Sequence, residues 1–477
     1  MNRKWIWIAL LVFLLPIVAR AAWFYPGTYS RAEKVQIPDY NAMQLPLAPL
    51  QTPQAADVDS QMEGVVVFDM THANLFQQGE VQALTEALTA RGGQVEFDME
   101  YEMLAARLRY ASAYVIVAPN STYTGEEIRL LADFVARGGR LAVFTDATRG
   151  TLFYDYNTGN PTQASDSNAV NPLLAPFGIT INNDYLYNLA ENEGNFRNVY
   201  FDQFGQADLT GDLKRVALYG THSVKTETGT LLLSGGEKTF SSLTDAHNTL
   251  EGGAALSADG NVLVFGDATF LSTPYNQVAD NSTLIGNIAD FLLGGARQPA
   301  LVDFPFLFRG KTVQVLPTAE VQMTAEMVAA LGQMQANLSY LSVDLKMVEE
   351  APDEGDMLIL GTFVQSDDLD PFIKDFDLVT DDYSSFVEVP GIGKVGRTGN
   401  GLVLFLPGEK GNTLILLAET TDDLTYLLST LNYGGLSSCL VQGEVALCSI
   451  GFGGSFSEDP YVPYEEPVEE ATPTPAG

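Results

Sequence analysis

At 477 residues the chain is too long for one ordinary core and predicts two or three domains. Its hydrophobic content of 46% is enough to bury real cores and excludes disorder over most of the length. With 60 acidic against 25 basic residues and a formal net charge of -35, it repels phosphate backbones, which excludes nucleic acid as a partner.

The N-terminus, "MNRKWIWIALLVFLLPIVARAAWFYPG", opens with Arg3 and Lys4, runs apolar from Trp5 to Ala19, and closes with Arg20 ahead of Trp23, Phe24 and Tyr25. Residues 1–25 therefore read as a single-pass anchor near the roughly 20 residues a bilayer needs, with Arg20 snorkelling and the aromatics at an interface. Ala19-Arg20-Ala21 also fits a small-x-small cleavage site, so a signal peptide stays open. Both readings keep the basic flank inside and export the bulk of the chain.

Residues 26–60 carry repeated Pro without a clear period and predict an extended linker. From there strands and helices alternate: "GVVVFD", the helix "QGEVQALTEALTARGG", "QVEFD", "EYEMLAARLRY", "AYVIVAP", the helix "TGEEIRLLADFVARGG" and "RLAVFTD". Thr124 and Glu127 stand at capping-box spacing. This rhythm predicts a parallel, doubly wound α/β sheet. Residues 150–258 interrupt it as a β-rich insertion, and it returns at "GNVLVFGDATFLSTPYNQVADNSTLIGNIADFLLGG", whose helix should be capped near Asn281 or Ser282 and ended by Gly294.

Three strands deliver an Asp at their ends: "VFD" at 67–69, "VFTDATR" at 143–149 and "VFGDATF" at 264–270. In open parallel sheets ligands bind beyond the carboxyl ends of the strands, so Asp69, Asp146 and Asp267 are expected on one such edge, with His72, Asn120 and Thr145 close by. There they can share a cation, take the hydroxyls of a ligand, or cap the following turns by accepting backbone N–H groups. His72 is one of only three histidines, with His222 and His247, and no committed nucleophile accompanies it; Ser121, Thr145 and Thr148 qualify by position alone. It reads as a hydrogen-bonding residue of the edge. The scattered histidines give no metal-ligand spacing.

These segments resemble a membrane-anchored family of unknown function built on a class I glutamine amidotransferase-like domain, a domain type also found in accessory proteins of gliding-motility ABC transporters. The resemblance covers about residues 61–297 and implies a flavodoxin-like sandwich in a surface or transporter-associated setting, with a membrane-protein or transporter partner. Amidotransferases of that fold need a nucleophilic Cys on a strand-to-helix turn. Here the turn reads "FTDATRG" and lacks one, so glutamine hydrolysis is not expected.

Residues 298–455 predict a second, smaller α/β domain, and the Pro- and Glu-rich tail, 456–477, disorder. The run "VPGIGKVGRTGNG" lacks both phosphate-loop forms, and no cofactor or metal is expected. Within "SSCLVQGEVALCSI", Gly443-Glu444 suits a two-residue type II′ hairpin turn, whose register faces Cys439 with Cys448 and predicts a disulfide. The functional expectation is an extracytoplasmic, catalytically inactive binding protein of the cell membrane. The alternative is a carboxylate-dependent hydrolase of glycan or peptide.

Overall fold

A computed structural model describes residues 3–25, 62–150, 152–154, 159, 161–163, 165–243, 251–364, 369–380 and 384–450. The expected linker, the acidic tail and His247 lie outside the described residues. The N-terminal segment is one helix, α1 (Arg3–Phe24), the only span among the described residues long and apolar enough to cross a membrane, with a mean hydropathy of 2.2. A signal sequence would meet the same criterion.

Four parallel strands open the main body: β1 (Val65–Asp69), β2 (Gln94–Asp98), β3 (Ala113–Val117) and β4 (Arg140–Phe144). They stand in the order β2-β1-β3-β4, followed by the parallel strand Val262–Phe265. The apolar runs of β1, β3 and β4 are buried because helices cover both faces, while the edge strand β2 is half-buried. On one face α2 (Gln82–Ala90) meets the helix Asn281–Leu293 through Leu84, Leu88, Leu284 and Ile288. Each such side chain contributes about 1.5–3 kcal/mol on burial, and Leu88→Ala alone should cost about 2–5 kcal/mol. On the other face α3 (Leu104–Leu108) packs against α4 (Gly125–Ala136). The capping box expected at Thr124 and Glu127 forms, the Thr124 hydroxyl accepting from Glu127 N–H at 3.2 Å.

The insertion is a continuation of this sheet. Strand Glu251–Leu256 pairs antiparallel with Val262–Phe265, and Thr230–Ser234 and Val224–Thr226 pair with it in turn. It also contains a helix, α5 (Asp166–Leu174), whose Val170, Leu173 and Leu174 join the α3/α4 face. No helix is expected there from sequence, because Asp, Ser and Asn interrupt its apolar period.

Helix Asn281–Leu293 departs from its expected cap. Asn281 instead bridges back to the insertion, accepting from Ala217 N–H at 3.0 Å and donating to the carbonyls of Ala217 and Tyr275 at 2.9 Å. The preceding Asp280 likewise accepts from the backbone of Lys214 and Arg215.

A separate seven-stranded sheet follows. Its strands Thr312–Pro317, Asp344–Met347, Asp356–Thr362 and Thr413–Ala418 are parallel and repeat the second-first-third-fourth order of the first domain. Helices Ala325–Ser339 and Thr421–Gly434 cover one face. The two sheets are tied together at Asp303, which accepts from Arg137 at 2.5 Å and forms an ion pair with Arg297 at 2.5 Å. Arg297 also donates to the carbonyl of Arg109, while Phe306 packs on Tyr110. This contact lies at the amino-terminal edge of the first sheet, opposite the strand-end aspartates.

In the terminal hairpin Cys439 faces Cys448, Leu440 faces Leu447 and Val441 faces Ala446, as expected. Gly443 has φ of +58°, as the first position of a type II′ turn requires. The disulfide is formed across a Cα separation of 4.2 Å.

Candidate functional site

All three aspartates lie at the carboxyl edge of the one sheet, Asp69 as the last residue of its strand and Asp146 and Asp267 two residues beyond theirs, and all three are buried. They share a local device. Asp69, Asp146 and Asp267 are each followed two residues later by Thr71, Thr148 and Thr269, whose backbone N–H donates to the carboxylate at 3.0, 2.9 and 2.8 Å. The side chain thus closes an Asx turn that redirects the chain out of the sheet. Asp98, the fourth strand-end aspartate, faces Asp69 in register and meets Arg107 at 3.3 Å. Only the aligned pattern of "VEFD" with "VVFD" could have marked it in the sequence.

Asp69 anchors the first cluster. One oxygen accepts from the Thr71 hydroxyl at 2.8 Å; the other meets His72 Nδ1 at 2.9 Å and accepts from the Tyr123 hydroxyl at 2.5 Å. On the far side of the ring, His72 Nε2 lies 3.4 Å from Glu127. Tyr123 stacks on the imidazole with centroids 3.7 Å apart. Burial opposes the charged forms of both Asp69 and His72, but their mutual hydrogen bond and attraction outweigh it. The carboxyl is held below its ordinary range and the imidazole above its own. Burial beside Asp69 pushes the Tyr123 phenol well up, so it stays a neutral donor. His72 thus lies between two carboxylates that favour its charged form, and both ring nitrogens face a carboxylate of the protein itself.

The backbone around this cluster is strained. Ala73 and Ala118 hold φ of +51° and +41°, a region that costs a residue with a Cβ. His72 O accepts from both Asn120 and Ser121 N–H at 3.0 Å, which ties the two loops together. The site lies where the chain runs from β1 outward to β2 and then back across to β3, the position at which helices diverge in such sheets.

Asp146 and Asp267 form a second cluster on neighbouring strands. Asp146 accepts from Arg149 Nε at 3.0 Å and from the Thr269 hydroxyl at 2.7 Å. Its own N–H donates to Asp166, whose other oxygen meets His222 Nε2 at 2.9 Å. Asp267 accepts from Tyr219 N–H at 2.8 Å; complete burial, and then the nearby Asp146, push its carboxyl well above the usual range. Thr145 donates to Phe265 O and takes no part in a cavity. Gly266 stands where the matching "VFTD" run has Thr145, because a Cβ there would collide with the carbonyl of His222 in the insertion.

The aspartates do not converge on one point. Among the described residues no group of three or more His, Cys, Asp or Glu side chains is placed to hold a metal ion. What opens at this edge is a cavity of about 500 Å³, lined by Arg149, Thr269 and Ser272 of the sheet loops and by Arg197, Asn198 and Tyr219 of the insertion. Arg149 is held in its wall, pairing with Glu80 at 2.7 Å and donating to Leu75 O at 2.8 Å. The insertion residues carry no motif, so this face of the cavity is absent from any reading of the sequence alone.

No family model and no curated protein matches the chain. Among solved structures it is similar to the mmIFT52 N-terminal domain at 14% identity, covering 48% of this chain and 98% of that one with a TM-score of 0.37. It is also similar to a putative ThuA-like protein from Bacteroides uniformis at 11% identity, covering 49% and 91% with a TM-score of 0.29. PurLQS from Thermotoga maritima aligns at 9% identity over 49% of this chain and 99% of that one, with a TM-score of 0.21.

Proposed function

We propose that this is a membrane-anchored extracytoplasmic protein whose flavodoxin-like, amidotransferase-like domain is catalytically inactive and binds a ligand or partner in the cell envelope as an accessory to an ABC transporter. The observation that carries the reading is the full internal use of the edge chemistry. Asp69, His72 and Glu127 satisfy one another, and Asp146 is occupied by Thr148, Arg149 and Thr269. A hydrolase needs a carboxylate or imidazole facing its substrate in the correct protonation state. The competing reading as a hydrolase of glycan or peptide receives less support for that reason.

The anchor reading is supported by α1 and by the disulfide, which belongs to oxidising compartments. Affinity purification of the full chain from its own membrane tests the proposal. Stoichiometric recovery of transporter subunits supports it; turnover of glutamine, glycan or peptide by the purified chain overturns it.

A further inference from the structure

Arg197 stands out in the cavity at the sheet edge. The chain carries 60 acidic residues to 25 basic, and the two arginines of this cavity differ in how they are held. Arg149, in the same cavity, pairs with both Glu80 and Asp146. Arg197 has no ion pair among the described residues. Its guanidinium is instead stacked on the ring of Tyr185, 4.4 Å from the centroid, and lies 5.5 Å from that of Phe196. Stacking holds a guanidinium by its face and leaves the N–H fork at its edge open for a planar anion. Its backbone is fixed as well, since the carbonyl accepts from Gly220 N–H at 2.9 Å.

The rest of the lining suits a small polar body. Tyr219 and Tyr275 pack with centroids 4.4 Å apart and supply an apolar wall. The Tyr219 hydroxyl is buried without a hydrogen-bond partner among the described residues, a state that destabilises unless something fills the need. Asn195, Asn198 and Ser272 add donors and acceptors. Glu80 limits the charge the site accepts: one negative group meets Arg197 favourably, whereas a dianion would also face this carboxylate.

We propose that this cavity binds a small organic monocarboxylate with a hydrogen-bonding body, its carboxylate on the Arg197 fork and its body against the Tyr219–Tyr275 wall. The inference rests on the non-catalytic binding reading given above. A chain that turned over substrate would sink that reading, whereas the binding comparisons below sink only this inference.

The experiment is calorimetry on the full chain in detergent with two matched pairs of probes, galacturonate against galactose and N-acetylalanine against N-acetylalaninamide, together with galactose 6-phosphate. The carboxylate member of at least one pair should bind more tightly than its neutral partner and than the phosphate. Arg197→Gln, a change at an exposed side chain, should weaken that carboxylate about tenfold or more, leave the neutral partner unchanged and leave the melting temperature unchanged. Arg197→Lys should restore part of the loss. Equal binding of charged and neutral partners, a stronger phosphate, no binding of any probe, or an Arg197→Gln protein that binds like the parent overturns the proposal.

Discussion

The Thr269 hydroxyl donates to Asp146, 2.7 Å away on the neighbouring strand end, although its own turn is closed by Asp267. Thr71 and Thr148, at the equivalent places, donate to the aspartates of their own turns. Asp267 is taken up by the backbone N–H groups of Tyr219, Thr269 and Phe270, while Asp146 pairs with Arg149 and accepts the hydroxyl. Thr269→Val should therefore destabilise the first domain by about 1–2 kcal/mol, because it leaves one Asp146 oxygen short of a donor. Urea denaturation checks this, and an unchanged midpoint would refute the cross-strand role.

Stability should depend on pH through His72 with a definite sign. Its folded value lies above 6.5, so its contribution is complete below pH 6.5 and is lost as pH rises through the folded value. Asp69 lies below 3.8, so its contribution is complete above that pH and is lost as pH falls through its own folded value. His222 is raised too and adds to the alkaline loss. The difference between the parent and His72→Gln isolates His72: it should be largest below pH 6.5 and shrink as pH rises. A difference that stayed constant would show that His72 acts only through packing.

Tyr123→Phe should cost about 1–3 kcal/mol, since it removes a buried donor from the Asp69 carboxylate and leaves the stacked ring in place. It should also raise the Asp69 titration, which carbon-detected NMR can follow. An unshifted Asp69 would mean that Tyr123 contributes packing alone.

The disulfide encloses a short loop, its cysteines nine positions apart. In the chain-entropy model a 15-residue loop is worth about 3 kcal/mol, so the Cys439→Ala, Cys448→Ala pair should lose less than that. Mass spectrometry of the unreduced, denatured chain should find no thiol open to alkylation. Two alkylated cysteines would contradict the bridge.

Asp303→Asn should loosen the junction of the two domains. Arg137 and Arg297 would lose their shared carboxylate while Arg297 stays largely buried against Phe134. Breaking a buried pair from one side costs about 3–5 kcal/mol. The expected calorimetric trace separates into two transitions where the parent shows one. A single transition at the parent temperature would place the coupling elsewhere.

The parallel half of the first domain was legible because its strands are apolar runs broken by capped helices, a local pattern. The edge position of Asp69, Asp146 and Asp267 followed from the same pattern, and the Cys439–Cys448 register from one Gly-first turn. Tyr123 and Glu127 escaped notice as partners of His72 because they stand more than fifty positions away, and only the parallel pairing of β3 beside β1 brings them together. The insertion was the hardest part: strands of two to six residues do not state which sheet they extend. Asn281 carried a true helix-start signal, yet the Ala217 backbone outbid the cap for its side chain.

The antiparallel strands that the insertion adds to Val262–Phe265 bear on the molecule's solubility. Without them that strand would be a bare margin of four hydrophobic residues, all buried here, offering unsatisfied N–H and C=O groups to any passing chain. Excising the insertion would convert a finished sheet into a template for association between molecules, whatever it did to the cavity.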